Sequence, residues 1–343
     1  MRLKLLSLAT AAVLSLVSPA AQAQVVLRFS NWLPTTHALY PAVWQKWQSD
    51  VDRVTQGRVK VQFLPKVVGT VPTQLDVVRD GLADVAYIIH GYSPGRFTLQ
   101  GVAELPFLGD NAKSNALAYW RTYNKHLKSY NEHEGVVPIV VWAHGPGMLW
   151  WNKGVLKNLA DLKGAKLRTP GATTIPVVEA IGATPVQKPL TEIYELAAAG
   201  IVDGTLLSRE PAQAFNLLES LKYLTEIKGG LYTASQAIIV NEAKWKSIGP
   251  KDQEAIMSIS GEHMAAEIAR VTDEQDRKAV EKMKELKLTV EQASPEVMTQ
   301  LKAALAPVEQ AWIKAAKAKG MANPEQVLAD HRAEIAKIEA GSN

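Results

Sequence analysis

The chain has 343 residues, 47% of them hydrophobic and 21% charged, with 38 lysines and arginines against 34 acids. That length suffices for two domains that each bury most of their apolar surface. The near balance of charge leaves no footprint for nucleic acid, and the absence of cysteine excludes a disulfide-stapled scaffold.

Residues 1 to 23 hold Arg2 and Lys4, an apolar run from Leu5 to Val17, Pro19 and the triplet Ala21, Gln22, Ala23. A basic start, a short apolar core and an A-x-A end predict a secretory signal cleaved after about Ala23. The mature chain then starts at Gln24, with 36 basic residues against 34 acidic ones, a net charge of about +2. No later apolar run approaches the roughly 20 residues of a transmembrane helix.

Gln24 to Ser30 reads as a buried strand, followed by a loop through Asn31, Trp32, Pro34 and His37. Trp44, Trp47, Val51 and Val54 fall on one helix face, and Gly57 stops that helix. From Arg58 to Leu64 apolar and polar residues alternate, which predicts a half-buried strand. A helix over Thr73 to Leu82 leads into a strand from Ala83 to Ile89 that ends at His90, completing a βαβαβ unit. A helix near Ala116 to Leu127 and a strand from Val136 to Trp142 follow. The Gly/Pro cluster His144-Gly145-Pro146-Gly147 is then the first candidate crossing between domains.

Leu162 to Gly204 reads as strand, helix, strand, helix, strand with short turns, a compact parallel α/β unit. Arg168 ends its first strand. In open α/β sheets the carboxyl ends of strands face the ligand crevice, so a guanidinium there is placed to receive an anion. On spacing alone a structural ion pair would satisfy Arg168 equally well. Leu221 to Val240 supplies two more strands, the second returning to the first domain. One long helical pattern runs from Pro250 to Leu286, and Glu296 to Lys319 and Pro324 to Glu339 form closing helices.

Catalytic readings find little support. Gly91-Tyr92-Ser93-Pro94-Gly95 matches G-x-S-x-G after a strand, but the residue after the serine must donate its N–H to an oxyanion, and Pro94 has none. The seven histidines contain no HExxH pattern, and there is no phosphate-binding loop, so no metal and no cofactor is expected. His126, His133, His263 and His331 are expected to be solvated, whereas His90, at a strand end, is a candidate for the ligand site.

The run Asp161-Leu162-Lys163-Gly164, Lys166 and Arg168, then Gly182-Ala183 and Pro185, then Glu192, Tyr194, Gly200 and Val202-Asp203-Gly204 resembles the signature of DctP-type solute-binding proteins of TRAP (tripartite ATP-independent periplasmic) transporters. That family's pattern runs DLKGxKxR, GAxP and EVYxALxxGxVDG. The resemblance implies an α/β, two-domain periplasmic binding protein of type II-like build, with a central ligand cleft and a long helix spanning both domains. It implies that Arg168 pairs with the carboxylate of a bound substrate, and it implies membrane permease subunits as partners. The expected division is residues 24–144 plus about 232–265 for domain I, and 145–231 plus about 266–343 for domain II.

The chain departs from the family pattern at two positions. A second arginine expected in a G-x-R segment falls on Gly147, and an asparagine expected after VDG falls on Leu207. Both changes predict a more apolar pocket. Trp32, following Asn31 in the first loop, and Trp151, favoured over Trp150 by alternation with Gly147 and Leu149, point the same way. The expected function is therefore a monomeric periplasmic protein that captures a small organic monocarboxylate, an aromatic or branched 2-oxo or 2-hydroxy acid among them, for a TRAP permease. An exported hydrolase, the binding protein of an ATP-driven importer and a receptor subunit are the alternatives.

Overall fold

A computed structural model describes residues 24–341, so the predicted secretory signal lies outside the described residues. In chain order its strands are β1 (Val25–Ser30), β2 (Val59–Phe63), β3 (Val85–Ile89), β4 (Val136–Ala143), β5 (Met148–Trp151), β6 (Lys166–Thr169), β7 (Thr184–Gln187), β8 (Gly204–Leu207), β9 (Tyr223–Glu226), β10 (Ser235–Asn241) and β11 (Thr289–Gln292). They form two sheets. The first has the order β2-β1-β3-β10-β4 and the second β11-β9-β5-β8-β6-β7.

In β2 the predicted alternation holds, with Val59 and Val61 buried and Lys60 and Gln62 exposed. β10 runs antiparallel between β3 and β4, so the chain does leave the first sheet, build the second and return. The two crossings lie side by side. Gly147 N–H donates to Tyr232 O and Leu231 N–H to Gly147 O, each at 2.8 Å. In the second sheet β6, β7 and β8 are mutually parallel, as predicted for the organising stretch.

The helices are α1 (Lys46–Val54), α2 (Gln74–Arg79), α3 (Ala112–Thr122), α4 (Ile175–Ala180), α5 (Ile193–Ala198), α6 (Arg209–Ala214), α7 (Glu242–Lys246), α8 (Pro250–Ser258), α9 (Gly261–Glu285), α10 (Pro295–Ala318) and α11 (Pro324–Glu339). α3 starts earlier than its hydrophobic pattern suggests, because Asn111 Oδ1 caps it by accepting from Ser114 N–H at 2.8 Å. The pattern read as one helix from Pro250 is two. Gly261 sits at φ +54°, a conformation that breaks the ladder, and Trp47 donates its indole N–H to Ser260 Oγ at the junction.

α9 packs on α3 and β4 of the first domain and on α6 of the second, so one long helix does span both. α10 likewise touches α4 on one side and the turn Leu99–Glu104 on the other. α11 lies against α3, so the expectation that everything after about residue 266 joins the second domain fails at this helix. His331 explains the docking: it is buried, not solvated, and its Nδ1 bonds Thr122 Oγ1 on α3 at 2.9 Å. Phe29, Trp44, Trp47 and Trp142 are buried in one cluster. Each large apolar side chain contributes roughly 1.5–3 kcal/mol by leaving water.

Candidate functional site

The carboxyl ends of β1, β3, β6 and β8 converge on a cavity between the sheets. Arg168, on β6, reaches it with only 1% of the residue exposed. Its Nε–H donates to Lys188 O at 2.8 Å, which pins the side chain toward β7. Nη1 and Nη2 are buried with no hydrogen-bond partner among the described residues. Burial pushes this guanidinium down from its ordinary value, while the Tyr92 and Tyr232 hydroxyls nearby oppose the shift. Arginine stays protonated in any such environment. The cavity therefore holds a full positive charge, with the Tyr92 and Tyr232 hydroxyls near it and two nitrogens that no acceptor among the described residues bonds in hydrogen-bond geometry.

Five aromatic side chains stand in the walls. Trp32 donates its indole N–H to Tyr87 O at 2.9 Å and stacks on the Tyr87 ring, with centroids 4.7 Å apart and planes at 17°. Trp142, Tyr92 and Tyr232 complete the lining from the first domain and the crossing, and Leu207 and Pro211 line it from the second. His144 is fully committed. Its Nε2 accepts from Ala234 N–H at 3.0 Å, which leaves Nδ1–H to donate to Gly145 O. Burial pushes His144 down to about 4, so it is neutral at pH 7.

Away from Arg168 stand Glu210 and His37. Glu210 N–H donates to Asp276 Oδ1 on α9 at 2.6 Å, and His37 Nε2 lies 3.1 Å from Glu210 Oε1. Burial, with Asp276 adding to it, pushes the Glu210 carboxyl up to about 8, and burial pushes His37 down to about 4. Both are then mainly uncharged at neutral pH.

Of the residues singled out in the sequence, Arg168, Trp32 and Leu207 line this cavity together. Four do not. His90 is excluded by alternation: Tyr87 and Ile89 face the cavity, so His90 faces the opposite side of β3. There its Nδ1 bonds Ser235 Oγ and its Nε2 bonds His133 Nε2, each at 2.9 Å. His133 is accordingly buried and not solvated. Trp151 is excluded by register, since Met148 pairs with Leu207 at the cleft end of β8 and Trp151 pairs with Gly204 at the far end. Gly147 leaves no opening, because a Cβ there would fall 2.0 Å from Cε1 of Tyr232. Asn31 bonds Leu33 through both its amide nitrogen and its oxygen, and so shapes the loop that presents Trp32.

Tyr87, Trp142, Tyr232, His37 and Glu210 were not singled out. Strand alternation would have found Tyr87 once the facing side of β3 was known. Glu210, in the first turn after a strand end, occupies the kind of position that marked Arg168. Among the described residues no group of three or more histidines and carboxylates could hold a metal ion, and no helix is long and apolar enough to cross a membrane.

Residues 29–315 match the model of the family described as bacterial extracellular solute-binding protein, family 7, DctP. The chain is 29% identical over 331 residues to the outer membrane transporter protein TsaT of Comamonas testosteroni, covering 96% of this chain and 97% of that one. Among solved structures it is similar to a TRAP periplasmic solute-binding protein of Bordetella bronchiseptica with bound (R)- and (S)-mandelate, at 37% identity and a TM-score of 0.87, covering 92% of this chain and 99% of the other. It is also similar to a TRAP solute-binding protein of Rhodoferax ferrireducens in complex with copurified benzoate, at 27% identity and a TM-score of 0.84, covering 93% and 99%.

Proposed function

Because the chain belongs to the DctP family of bacterial extracellular solute-binding proteins, we propose that it captures a small aromatic monocarboxylate outside the cytoplasm and hands it to a TRAP membrane permease. The observation that carries this reading is the Arg168 guanidinium, buried with two free nitrogens at a cavity wall. A buried charge without a partner is costly to the fold, and a carboxylate that accepts two parallel hydrogen bonds from Nη1 and Nη2 removes that cost. Trp32 and Leu207 contact the ligand's body, and the Trp32–Tyr87 stack offers a flat apolar face for a ring. Mandelate and benzoate, held by two similar proteins, are of this chemical class.

The ligand does not react; it closes the cleft. Arg168 comes from the second domain and Trp32 from the first, so a ligand touching both favours the closed arrangement by its difference in affinity for the two states. Closure about the crossings at residues 144–147 and 231–236 is the state the permease reads. The protein acts as a monomer, exported by the signal that ends near Ala23.

Thermal-shift titration of the mature protein against mandelate, benzoate and succinate tests the reading. Ligand at 100 times its Kd adds about 2.7 kcal/mol of stability, so the aromatic acids are expected to raise Tm by several degrees. A larger shift with succinate would overturn the aromatic monocarboxylate reading.

A further inference from the structure

The cavity has a second polar end that carboxylate capture leaves unused. Arg168 leans toward β7 through Lys188 O, whereas Glu210 lies beyond Leu207 and Ser208, held toward α9 by the bond from its N–H to Asp276. The Glu210 side chain is only 11% exposed and lines the cavity. Its Oε2 meets no hydrogen-bond partner among the described residues. His37, the group nearest Oε1, does not balance a charge there: its Nδ1 accepts from Leu39 N–H at 3.3 Å, which makes it the neutral tautomer with the proton on Nε2. A largely buried carboxyl at the cavity wall is the polar counterpart of Arg168. In its neutral form it can both give and accept a hydrogen bond.

We propose that Glu210 is a specificity-determining residue that receives a hydroxyl carried on the ring of the bound acid, at the end away from the carboxylate, and that excludes a second carboxylate from that place. A ring hydroxyl satisfies the free oxygen. A second carboxylate would gain at most the one hydrogen bond of a protonated Glu210, and would place its charge near Asp276 with no cationic side chain but Arg168 among those lining the cavity. The inference rests on reading the cavity as an aromatic acid site, and it adds the substituent that the site selects.

Calorimetry at pH 7 on the mature protein, with benzoate, 3- and 4-hydroxybenzoate, 3- and 4-methylbenzoate and isophthalate, provides the test. A site built to bond a hydroxyl discriminates against the analogue lacking it, so the better hydroxybenzoate should bind about tenfold or more tighter than benzoate and than its methyl counterpart. Isophthalate should not bind. In Glu210→Leu the ratio of hydroxybenzoate to benzoate affinity should fall to near one, and in Glu210→Gln most of it should remain, since an amide still gives and accepts. Equal binding of the methyl and hydroxyl compounds by the unaltered protein, or a hydroxyl preference that survives Glu210→Leu, would overturn the inference and leave aromatic acid capture intact. Failure of every one of these aromatic acids to bind would overturn both. The comparison of methyl with hydroxyl needs no variant, so it decides the question even if the Leu substitution fails to fold.

Discussion

Two of the buried polar clusters among the described residues, one around His90 and one around Arg168, differ in one respect. Around His90 every group has an answer. Ser235 Oγ–H donates to Glu104 Oε1 at 2.5 Å, so it must accept from His90 Nδ1–H; His90 Nε2 then accepts from His133 Nε2–H. Tyr119 and Gln100 extend the network to Glu132, which also accepts from the N–H groups of Leu99 and Gln100. Around Arg168 the opposite holds, with two guanidinium nitrogens left without partners. A closed network commits its polar groups to the fold, whereas an open one keeps them for something that arrives later. The missing partner identifies the site better than the presence of polar residues does, and better than position at a strand end, which His90 and Arg168 share.

The largest expected effect falls on the open cluster. Arg168→Ala should cost about 2–5 kcal/mol of affinity for the aromatic acid, much of it from the ligand's charge left buried and unpaired. Arg168→Lys should not restore it, because one ammonium cannot give two parallel donors. Calorimetric titration of both variants checks this, and near-normal binding by either would break the contrast. The closed cluster should respond in stability instead: His90→Ala is expected to lower it by about 1–3 kcal/mol, the penalty of leaving Ser235 and His133 unsatisfied. Its ligand affinity should stay unchanged. Chemical denaturation beside titration reads both, and a loss of affinity comparable to that of Arg168→Ala would dissolve the distinction.

A third variant tests whether the open cluster depends on closure. Gly171, after β6, is in extended backbone, so alanine brings no backbone strain; its Cβ would nevertheless fall 2.9 Å from the Cα and O of Gly91, in the loop after β3. Overpacking of this kind costs about 1–3 kcal/mol. Here it should appear as weakened binding and as loss of ligand-induced compaction in small-angle scattering. Unaltered compaction would show that the glycine contact does not limit closure.

The smallest effect is a pH dependence. Glu210 keeps its proton in the folded state up to about 8, but loses it near 4.5 when unfolded, so its contribution makes stability fall as pH rises across that window. His37 and His144, lowered to about 4 from 6.5, act in the opposite sense, and their contribution is lost as pH falls from 6.5 toward 4. Tm should therefore peak near pH 6.5 and decline gently toward 8. Glu210→Gln should shrink that alkaline decline, and a full decline in the variant would assign it to other groups.

Much of the architecture was legible because strand and helix periods differ and the parallel β6-α4-β7-α5-β8 unit has short, strongly patterned segments. The split between α8 and α9 was not, since nothing in a helical pattern announces that Gly261 will take φ +54° beside the Trp120 ring. Arg168 could be placed from its strand end alone. Trp151 could not, because which end of β5 meets the cleft follows from its antiparallel register with β8, a long-range property. Glu210 and Tyr232 reach the site from a helix turn and a crossing whose positions depend on both domains being built.

The Tyr232 ring in the space beside Gly147 also bears on how the binding site can change over time. An arginine at position 147 would need the volume Tyr232 now fills, and Tyr232 in turn owes its place to the missing side chain. Tyr232 also donates its hydroxyl to Leu206 O at 3.2 Å, tying the pair to the strand that ends at Leu207. Neither position can be exchanged alone without loss: the arginine clashes while the tyrosine remains, and a smaller residue at 232 opens a hole while glycine remains. A chain that exchanges the pair one position at a time therefore passes through a less stable protein. Changes of pocket shape should accordingly be tolerated more readily at wall positions outside this pair.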